Sequence, residues 1–212
     1  MSSVEAQVDK LSVEEKTPQE APESTDKTVL ESLDFSVVHP LEHEWTMWYL
    51  KPAQGNVENW ADLLKQLVTV NSVEQFWGAF NSLPRVTQLP LKADFAFFKK
   101  GIRPEWEDPA NKEGGRWTAH LRLADDMDAR WMNILLSLIG NTLDTDNVVN
   151  GVFAMVRPKG TCRVQLWVNS DAQKSQKTAR NLKNVLNMNE RSKLEYQPFA
   201  ADDSGMTIKI EI

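Results

Sequence analysis

Residues 103–117, RPEWEDPANKEGGRW, place two tryptophans among four acidic residues, three basic residues and two glycines. A buried core accepts tryptophan but excludes this much charge, because an ionised side chain removed from water is costly unless it is paired. A solvated loop accepts the charge but gains nothing from tryptophan. The combination predicts a pocket that stacks a flat ligand on an indole and recognises the edge of that ligand with a carboxylate.

Patterns that would indicate catalysis are weak elsewhere in the chain. His39, His43 and His120 are scattered, with no cysteine or carboxylate at ligand spacing, so the sequence predicts no zinc site. Glu105 and Glu107 are candidates for the carboxylate pair of a glycosidase. Acids beside tryptophan in a loop are more often acceptors for a ligand edge or solvated charges. We therefore expect a binding protein without cofactor or metal.

The charge of the chain is unevenly distributed. The formal net charge is −6, and residues 1–34 carry nine acids against three lysines and no aromatic residue. Such a composition cannot bury enough apolar surface to offset chain entropy. We expect an acidic disordered tail over residues 1–35 and a domain over residues 36–212. The domain is neutral overall, which disfavours tracking of a long phosphate backbone but permits a small charged ligand.

Length and composition indicate one intracellular domain. A chain of 212 residues can bury one substantial core. Cys162 is the single cysteine, so an internal disulfide is impossible and a reducing compartment is expected. No apolar run approaches the roughly 20 residues that span a bilayer, and the polar N-terminus lacks the apolar region of a signal peptide. Among the eight tryptophans, we expect core positions for Trp45, Trp48, Trp117 and Trp131.

Short segments rich in β-branched and aromatic residues alternate with a few helical patterns. We predict three helices: one capped by Ser72 with Gln75, one from Asp125 or Asp126 to Gly140, and one over roughly 174–188. Regular strand–helix–strand alternation is missing, which favours an α+β fold with helices on one face of an antiparallel sheet. The predicted strands are 45–51, 94–100, 116–123, 151–157, 163–169, 193–199 and 206–212.

The first two predicted helices carry more apolar residues than one sheet face requires. At about 100° per residue, Met132 and Leu136 lie to one side of a core stripe that passes through Trp131. Val73 and Trp77 extend the apolar arc of the first helix similarly. Two interpretations remain open. The two helices bury these flanks against each other, or the flanks form an exposed groove for a partner helix.

Five segments carry a resemblance to a known family: HPLEHEWTMWYLKP (39–52), SVEQFW (72–77), RPEWEDPANKEGGRW (103–117), ARWMNILLSLIG (129–140), and GVFAMVRPKG followed by QLW (151–167). Together they resemble the eukaryotic translation initiation factor 4E family, which binds the 5′ cap of messenger RNA. The similarity runs in order from about residue 36 to the C-terminus and weakens after residue 170. It implies a single α+β domain with a strongly curved antiparallel sheet of about eight strands. Three helices would lie on the convex face and the cap slot on the concave side.

The resemblance assigns roles to eight candidate cap-binding residues. Trp60 and Trp106 would stack the cationic 7-methylguanine base from its two faces, while Glu107 would accept the hydrogen bonds of its edge. Trp167 would touch the N7-methyl group. The phosphate chain would meet basic residues: Arg157 and Arg163, assisted by Arg116 and Lys159.

The resemblance also implies a protein-binding surface on the helices. It would take a short helix from a scaffold initiation factor of the 4G type, or from competing repressors that share the motif. Asn133 stands where many relatives have glutamate. The implied residues are His39, Pro40, Val73, Trp77, Met132, Asn133 and Leu136.

Three functional hypotheses follow. The first is a monomeric initiation factor that binds the cap and recruits the scaffold, in the cytoplasm and also in the nucleus. The second, within the same family, is a cap-binding translational repressor that sequesters messages without the scaffold. The third is a carbohydrate-binding or glycosidase domain that uses tryptophan as a platform for sugars. Tryptophan at positions 60, 77 and 106 favours the first.

Overall fold

The protein is described here by a computed structural model, which covers residues 37–53, 60–124, 126–200 and 210–212. In these residues the strands coincide largely with the segments rich in β-branched and aromatic side chains, as their preferences predict. They form a curved antiparallel sheet with three α-helices packed on one face. The predicted α+β fold is confirmed. The predicted tail, residues 1–35, lies outside the described residues.

Eight strands are present in the described part of the chain. They lie side by side in the order β2-β1-β3-β5-β6-β4-β7-β8, and each neighbouring pair is antiparallel. Their bounds are Pro40–Leu50 (β1), Leu64–Ser72 (β2), Asp94–Lys99 (β3), Gly115–Arg122 (β4), Val149–Arg157 (β5), Thr161–Val168 (β6), Glu195–Pro198 (β7) and Ile210–Glu211 (β8).

β2 is the one described strand that the sequence analysis does not predict. Its residues LKQLVTVNS contain three consecutive β-branched side chains, but only Asn71 separates them from Ser72, with which the pattern of the next helix begins. The strand ends at Ser72, which is also the cap of that helix. The predicted strand over 206–212 is observed at Ile210–Glu211, and residues 206–209 lie outside the described range.

The three helices are α1 (Val73–Ser82), α2 (Met127–Ile139) and α3 (Ala172–Val185). The Ser72 hydroxyl accepts a hydrogen bond of 3.2 Å from the Gln75 amide, which confirms the predicted cap of α1. Asp126 holds the cap position of α2 in a left-handed conformation, but its side chain makes no capping bond. α3 begins earlier than predicted, because Asp171 caps it by accepting from the Lys174 amide at 2.9 Å. Two short 3-10 helices, Trp60–Leu63 and Val86–Gln88, complete the described elements.

The main core lies between the helices and the sheet. Trp45 stacks on Phe97 with ring centroids 5.0 Å apart, and the Trp117 indole donates a 2.9 Å hydrogen bond to the Ser175 hydroxyl of α3. Trp131 of α2 is also buried in this core. Core positions are thus confirmed for these three tryptophans. No helix of the described residues is both long and apolar enough to cross a membrane.

A smaller apolar cluster lies on the opposite face of the sheet. Trp48 belongs to this second cluster and not to the helix-covered core. Successive side chains of a strand point to opposite faces, so β3 sends Phe97 to the helices and Phe98 to the other side. We call this second surface the open face. Its buried members are Trp48, Ala96, Phe98, Phe153 and Trp167.

Candidate functional site

Strand register places the side chains of the open face. Arg116 on β4 lies opposite Trp167 on β6. Trp167 lies opposite Gly151 on β5, which in turn lies opposite Phe98 on β3. A Cβ atom at Gly151 would lie 2.2 Å from the Phe98 ring, so only glycine permits this close approach. The register therefore brings Arg116 and Trp167 side by side over an aromatic floor.

Trp167 is fixed by its aromatic neighbours. Its ring centroid lies 5.5 Å from that of Phe98, 5.3 Å from Phe153 and 4.4 Å from Phe199. Only 5% of the residue is exposed, and it still lines the cavity above the open face. A ligand entering the cavity meets a ring that is already oriented.

The 103–114 loop is held in shape by buried polar groups. The Asp108 carboxylate accepts hydrogen bonds from the amides of Arg103 (2.8 Å) and Ala110 (2.9 Å). The fully buried Asn111 side chain donates to the carbonyls of Arg103 (3.0 Å) and Glu105 (2.7 Å). Asn150 of β5 donates to the Asn111 side chain at 2.9 Å and so fastens the loop to the sheet.

Asp108, Asn111 and Asn150 are site-supporting residues that the sequence analysis did not identify. The segment DPAN has the composition of a turn in which aspartate and asparagine bond to nearby backbone groups. That signal could have identified Asp108 and Asn111. Asn150 has no such local signal, because its role depends on a contact between residues 39 positions apart.

Glu105 is engaged inside the loop. The Arg103 guanidinium donates to its two oxygens at 2.7 and 2.8 Å, and these bonds hold the pKa of Glu105 below its usual value. The same guanidinium lies 5.8 Å from the Trp48 ring centroid. A glycosidase acid needs a raised pKa, so the geometry argues against the pair Glu105 and Glu107 as a catalytic dyad.

Trp106 and Glu107 lie at the rim of the cavity, whose volume is about 500 Å³. Trp106 is 60% exposed, which is unusual for the largest apolar side chain, while Glu107 is exposed beside it. An exposed indole over a cavity offers a flat surface for stacking. The adjacent carboxylate offers an acceptor at the edge of whatever stacks there.

An ion pair between a partly exposed arginine and a buried aspartate lies at another part of the cavity wall. Arg157 donates two hydrogen bonds to the carboxylate of Asp94, one of them 3.0 Å long between Nη2 and Oδ2. Burial raises the pKa of Asp94, and the bonds from Arg157 partly offset this rise. Both residues line the cavity. Asp94 fixes the direction of the Arg157 guanidinium and was not predicted as a site residue.

Arg116 adds a second guanidinium to the cavity. Its Nη2 donates to the Gln197 side chain at 2.6 Å. Burial lowers the pKa of Arg116, and the nearby charge of Arg163 lowers it further. An anion near these two cations would relieve their mutual repulsion.

The other predicted cap-binding residues are Trp60, Lys159 and Arg163, of which Lys159 and Arg163 are not among the described residues that line this cavity. Trp60 begins the 3-10 helix that precedes β2, directly after residues 54–59, which lie outside the described range. Lys159 is exposed in the turn between β5 and β6 with a φ of 62°. Arg163 is exposed on β6 and lines a neighbouring cavity. The described residues contain no cluster of three or more potential metal ligands.

The predicted protein-binding residues lie on the helix-covered side. His39 bonds to α1, because its Nδ1 lies 2.7 Å from the Glu74 carboxylate and its carbonyl accepts from the Val73 amide at 2.9 Å. The hydrogen bond with His39 is the main reason that the pKa of Glu74 falls to about 2. The adjoining Pro40 is exposed. The segment before β1 is thereby joined to the start of α1.

The apolar flanks of α1 and α2 remain partly accessible. Trp77 packs edge-on against Phe76 at 5.3 Å and Phe80 at 5.9 Å, yet it stays half-buried. Helices that sealed these flanks against each other would have buried them fully. These flanks therefore keep some accessible apolar surface, which the second interpretation requires. Half-buried flank residues are Val73, Trp77, Met132 and Leu136, and Asn133 beside them is exposed.

Comparisons with known proteins agree with this architecture. The family described as eukaryotic initiation factor 4E matches residues 40–209. A eukaryotic translation initiation factor 4E of Candida albicans is 42% identical over 185 residues, covering 84% of this chain and 88% of the relative.

Two solved structures are also similar. Initiation factor 4E-3 of Ascaris suum, in complex with the m2,2,7G cap, has a TM-score of 0.74 at 29% identity and covers 83% of this chain and 99% of its own. Initiation factor 4E-3 of C. elegans, in complex with the 4E-binding protein Mextli and a cap analog, has a TM-score of 0.73 at 30% identity. It covers 83% of this chain and 100% of its own. The protein belongs to the eukaryotic initiation factor 4E family, a family of translation factors and not of enzymes.

Proposed function

We propose that this chain binds the 7-methylguanosine 5′ cap of messenger RNA and acts in translation initiation. The observation that carries the proposal is the exposed Trp106 indole with Glu107 beside it, above a cavity whose wall contains Trp167 and two guanidiniums. The cap complex of the Ascaris suum relative supports it.

The chemistry of the cap fits this arrangement. Methylation at N7 makes guanine a delocalised cation, which gains a cation–π contribution when it stacks on an electron-rich indole. The base presents its N1–H and N2–H₂ donors side by side, and the ionised Glu107 carboxylate can accept both in a bidentate pair. Trp106 would form one wall of the slot. The resemblance gives Trp60 the opposite wall and Trp167 the contact with the methyl group.

The phosphates of the cap would then reach the basic side of the cavity. Arg157, held in direction by Asp94, offers a preorganised guanidinium, and Arg116 and Arg163 add positive charge. Lys159 is a further candidate from the turn beside Arg157.

Retention on immobilised 7-methylguanosine nucleotide tests cap binding. The protein is expected to bind and to elute with free cap but not with oligosaccharide. Glu107→Gln is expected to lose about 2 kcal/mol or more, because it removes the charge from a bidentate hydrogen-bond pair. Glu113→Gln, an equal change at another exposed acid of the same loop, is the control and should bind like the unaltered protein. Equal retention of both variants would refute the role of Glu107.

We further propose that the flanks of α1 and α2 bind an amphipathic helix from a scaffold initiation factor of the 4G type or from a competing repressor. Val73, Trp77, Met132 and Leu136 supply partly accessible apolar surface, and Asn133 is an exposed polar neighbour. The bond between His39 and Glu74 sets the position of the segment next to this surface. The complex of the C. elegans relative with Mextli supports a protein partner.

A peptide-binding assay separates this surface from the cap slot. Trp77→Ala and Leu136→Ala are each expected to weaken binding of an amphipathic scaffold peptide by about 2 kcal/mol or more, as for buried interface anchors. Cap retention should persist in both. Trp106→Ala should show the reverse, with loss of the cap and retention of the peptide. Parallel loss of both ligands with a large fall in melting temperature would identify Trp77 and Leu136 as ordinary core residues.

If the unaltered protein retains the cap but binds no scaffold peptide, it is a repressor and not an initiation factor.

A further inference from the structure

A second basic cavity adjoins the proposed phosphate side of the cap site. It has a volume of about 540 Å³ and lies where the far ends of β4 and β6 meet the segment that follows α3. Four cationic or titratable side chains line it, together with polar residues of that segment: His120, Arg122, Arg130, Arg163, Asn189 and Ser192.

The arginines of this cavity have no acidic partner among the described residues. Several other basic side chains of the domain are paired, including Lys99 with Asp144, Arg103 with Glu105, and Arg157 with Asp94. No such ion pair involves Arg122, Arg130 or Arg163 in the part of the chain that the structure describes, and no acid lines the cavity. Three guanidiniums that face one cavity without a carboxylate favour an anionic ligand.

Register shows that this cavity continues the cap site. Arg163 lies opposite His120 on β4 and opposite Met155 on β5, and Met155 lines the first cavity. Arg116, His120 and Arg122 are separated by even numbers of residues along β4, so their side chains project from the same face of the sheet. A chain that leaves the cap at Arg116 can pass over Arg163 and His120 to reach Arg122.

We propose that this second cavity binds the phosphate backbone of the first nucleotides that follow the cap. The inference rests on the proposed cap-binding function, which would place a single RNA strand at the entrance of the cavity. Guanidinium groups match phosphate geometry. The Asn189 side chain accepts from the Ser192 amide and hydroxyl through its Oδ1, and its NH2 group can donate a further hydrogen bond. Because the strand is tethered by its cap, even weak contacts act at high effective concentration. The second cavity offers only three arginines, which agrees with a domain whose overall charge is neutral.

The test compares three ligands at two or more salt concentrations: the dinucleotide m7GpppG, a capped single-stranded RNA of about ten nucleotides, and the same RNA without a cap. The unaltered protein is expected to bind the capped RNA about fivefold more tightly than m7GpppG, as for two exposed ion pairs. The slope of log K against log salt should also be steeper for the capped RNA, by about 0.7 for each phosphate contact.

The double variant Arg122→Gln/Arg130→Gln should reduce the affinity for capped RNA to that for m7GpppG and leave m7GpppG itself unaffected. Lys174→Gln/Arg180→Gln is the matched control, because it removes two charges from exposed positions of α3. It should retain the preference for capped RNA, which excludes an effect of net charge alone. Equal melting temperatures would show that both variants fold.

Four outcomes are decisive. Loss of the preference only in Arg122→Gln/Arg130→Gln supports the proposal. Equal affinity of the unaltered protein for m7GpppG and capped RNA overturns it and leaves the cap site intact. Failure to bind m7GpppG at all would instead refute the proposed function. As a last comparison, an acidic peptide and the uncapped RNA, matched in charge, compete for the cavity against capped RNA. If the two competitors abolish the preference for capped RNA equally, the cavity binds acidic proteins and the RNA assignment is wrong.

Discussion

The two faces of the sheet are both lined with aromatic residues, yet they differ in what covers them. On the helix-covered face, α1, α2 and α3 seal a continuous apolar core. On the open face, the buried cluster is small and adjoins a cavity lined by Asp94, Arg116 and Arg157. The indole nitrogens of Trp48 and Trp167 are buried there without a hydrogen-bond partner among the described residues.

This difference separates stability from recognition. Apolar burial is the main favourable contribution to folding, and the helix-covered face supplies most of it. The open face combines aromatic rings with charged groups, an arrangement that serves a ligand at some cost to stability. Substitutions in the buried core of the first face should therefore affect unfolding but not cap binding, whereas those on the second face should affect both.

The largest expected effects compare Phe97 with Phe98, neighbours on β3 that point to opposite faces. Both rings are almost fully buried, so replacement of either by alanine should destabilise the protein by about 3–5 kcal/mol. Phe98→Ala should also weaken cap binding, because Phe98 packs against Trp167 at 5.5 Å. Phe97→Ala should not, because Phe97 contacts Trp45 and Phe76 beneath the helices.

Urea denaturation and cap titration at low temperature, where both variants remain folded, provide the measurement. Equal losses of cap affinity in the two variants would contradict the division into two faces. An unchanged affinity in Phe98→Ala would show that the position of Trp167 does not depend on the aromatic cluster.

A smaller effect is expected for the loop that carries Trp106 and Glu107. Asn111→Ala removes the two hydrogen bonds that this side chain donates to the carbonyls of Arg103 and Glu105 and the one that it accepts from Asn150, at a cost of about 1–3 kcal/mol. Cap affinity should fall together with stability. The neighbouring exposed Lys112 provides the control, since Lys112→Ala should change neither. Cap affinity that is unaffected by Asn111→Ala would mean that the loop needs no internal support.

The smallest effect concerns the edge of the helix-covered face. The hydrogen bond from His39 is the main cause of the pKa of about 2 at Glu74, and His39→Ala should raise this pKa towards the usual 4.5. Because the folded pKa is depressed, the carboxylate stabilises the folded state above pH 4.5, and that contribution is lost as the pH falls from 4.5 to about 2. An NMR titration of the Glu74 carboxyl carbon measures the shift. Cap binding should be identical in both proteins, and a pKa that does not move would remove His39 as the cause.

Much of the fold could be predicted because local patterns and tertiary packing agree. The cap at Ser72, the stop at Gly140 and the core stripe through Trp131 are all local signals that the structure follows. β2 was missed because it ends at Ser72, the residue that caps α1, so no separate turn marks the boundary. Trp48 was correctly expected to be buried, but sequence alone could not tell which face would bury it.

The candidate site was predictable only in part. Trp106, Glu107, Arg116, Arg157 and Trp167 do line one cavity. Asp94 and Asn150 could not have been found from local patterns, since each acts through a partner on another strand or loop. The basic cavity at Arg122 and Arg130 likewise requires β4 and α2 to meet in space. Such sites depend on long-range register, which composition and periodicity do not encode.

The most direct test of the account is a titration of intrinsic tryptophan fluorescence with 7-methyl-GTP and with GTP. The two nucleotides differ in the positive charge that methylation places on the base, which is the property that stacking on Trp106 would detect. We expect strong quenching and tight binding with 7-methyl-GTP, and weak binding with GTP. Equal affinity for the two nucleotides, or binding without quenching, would contradict the proposal that an exposed indole of the open face recognises the cationic base.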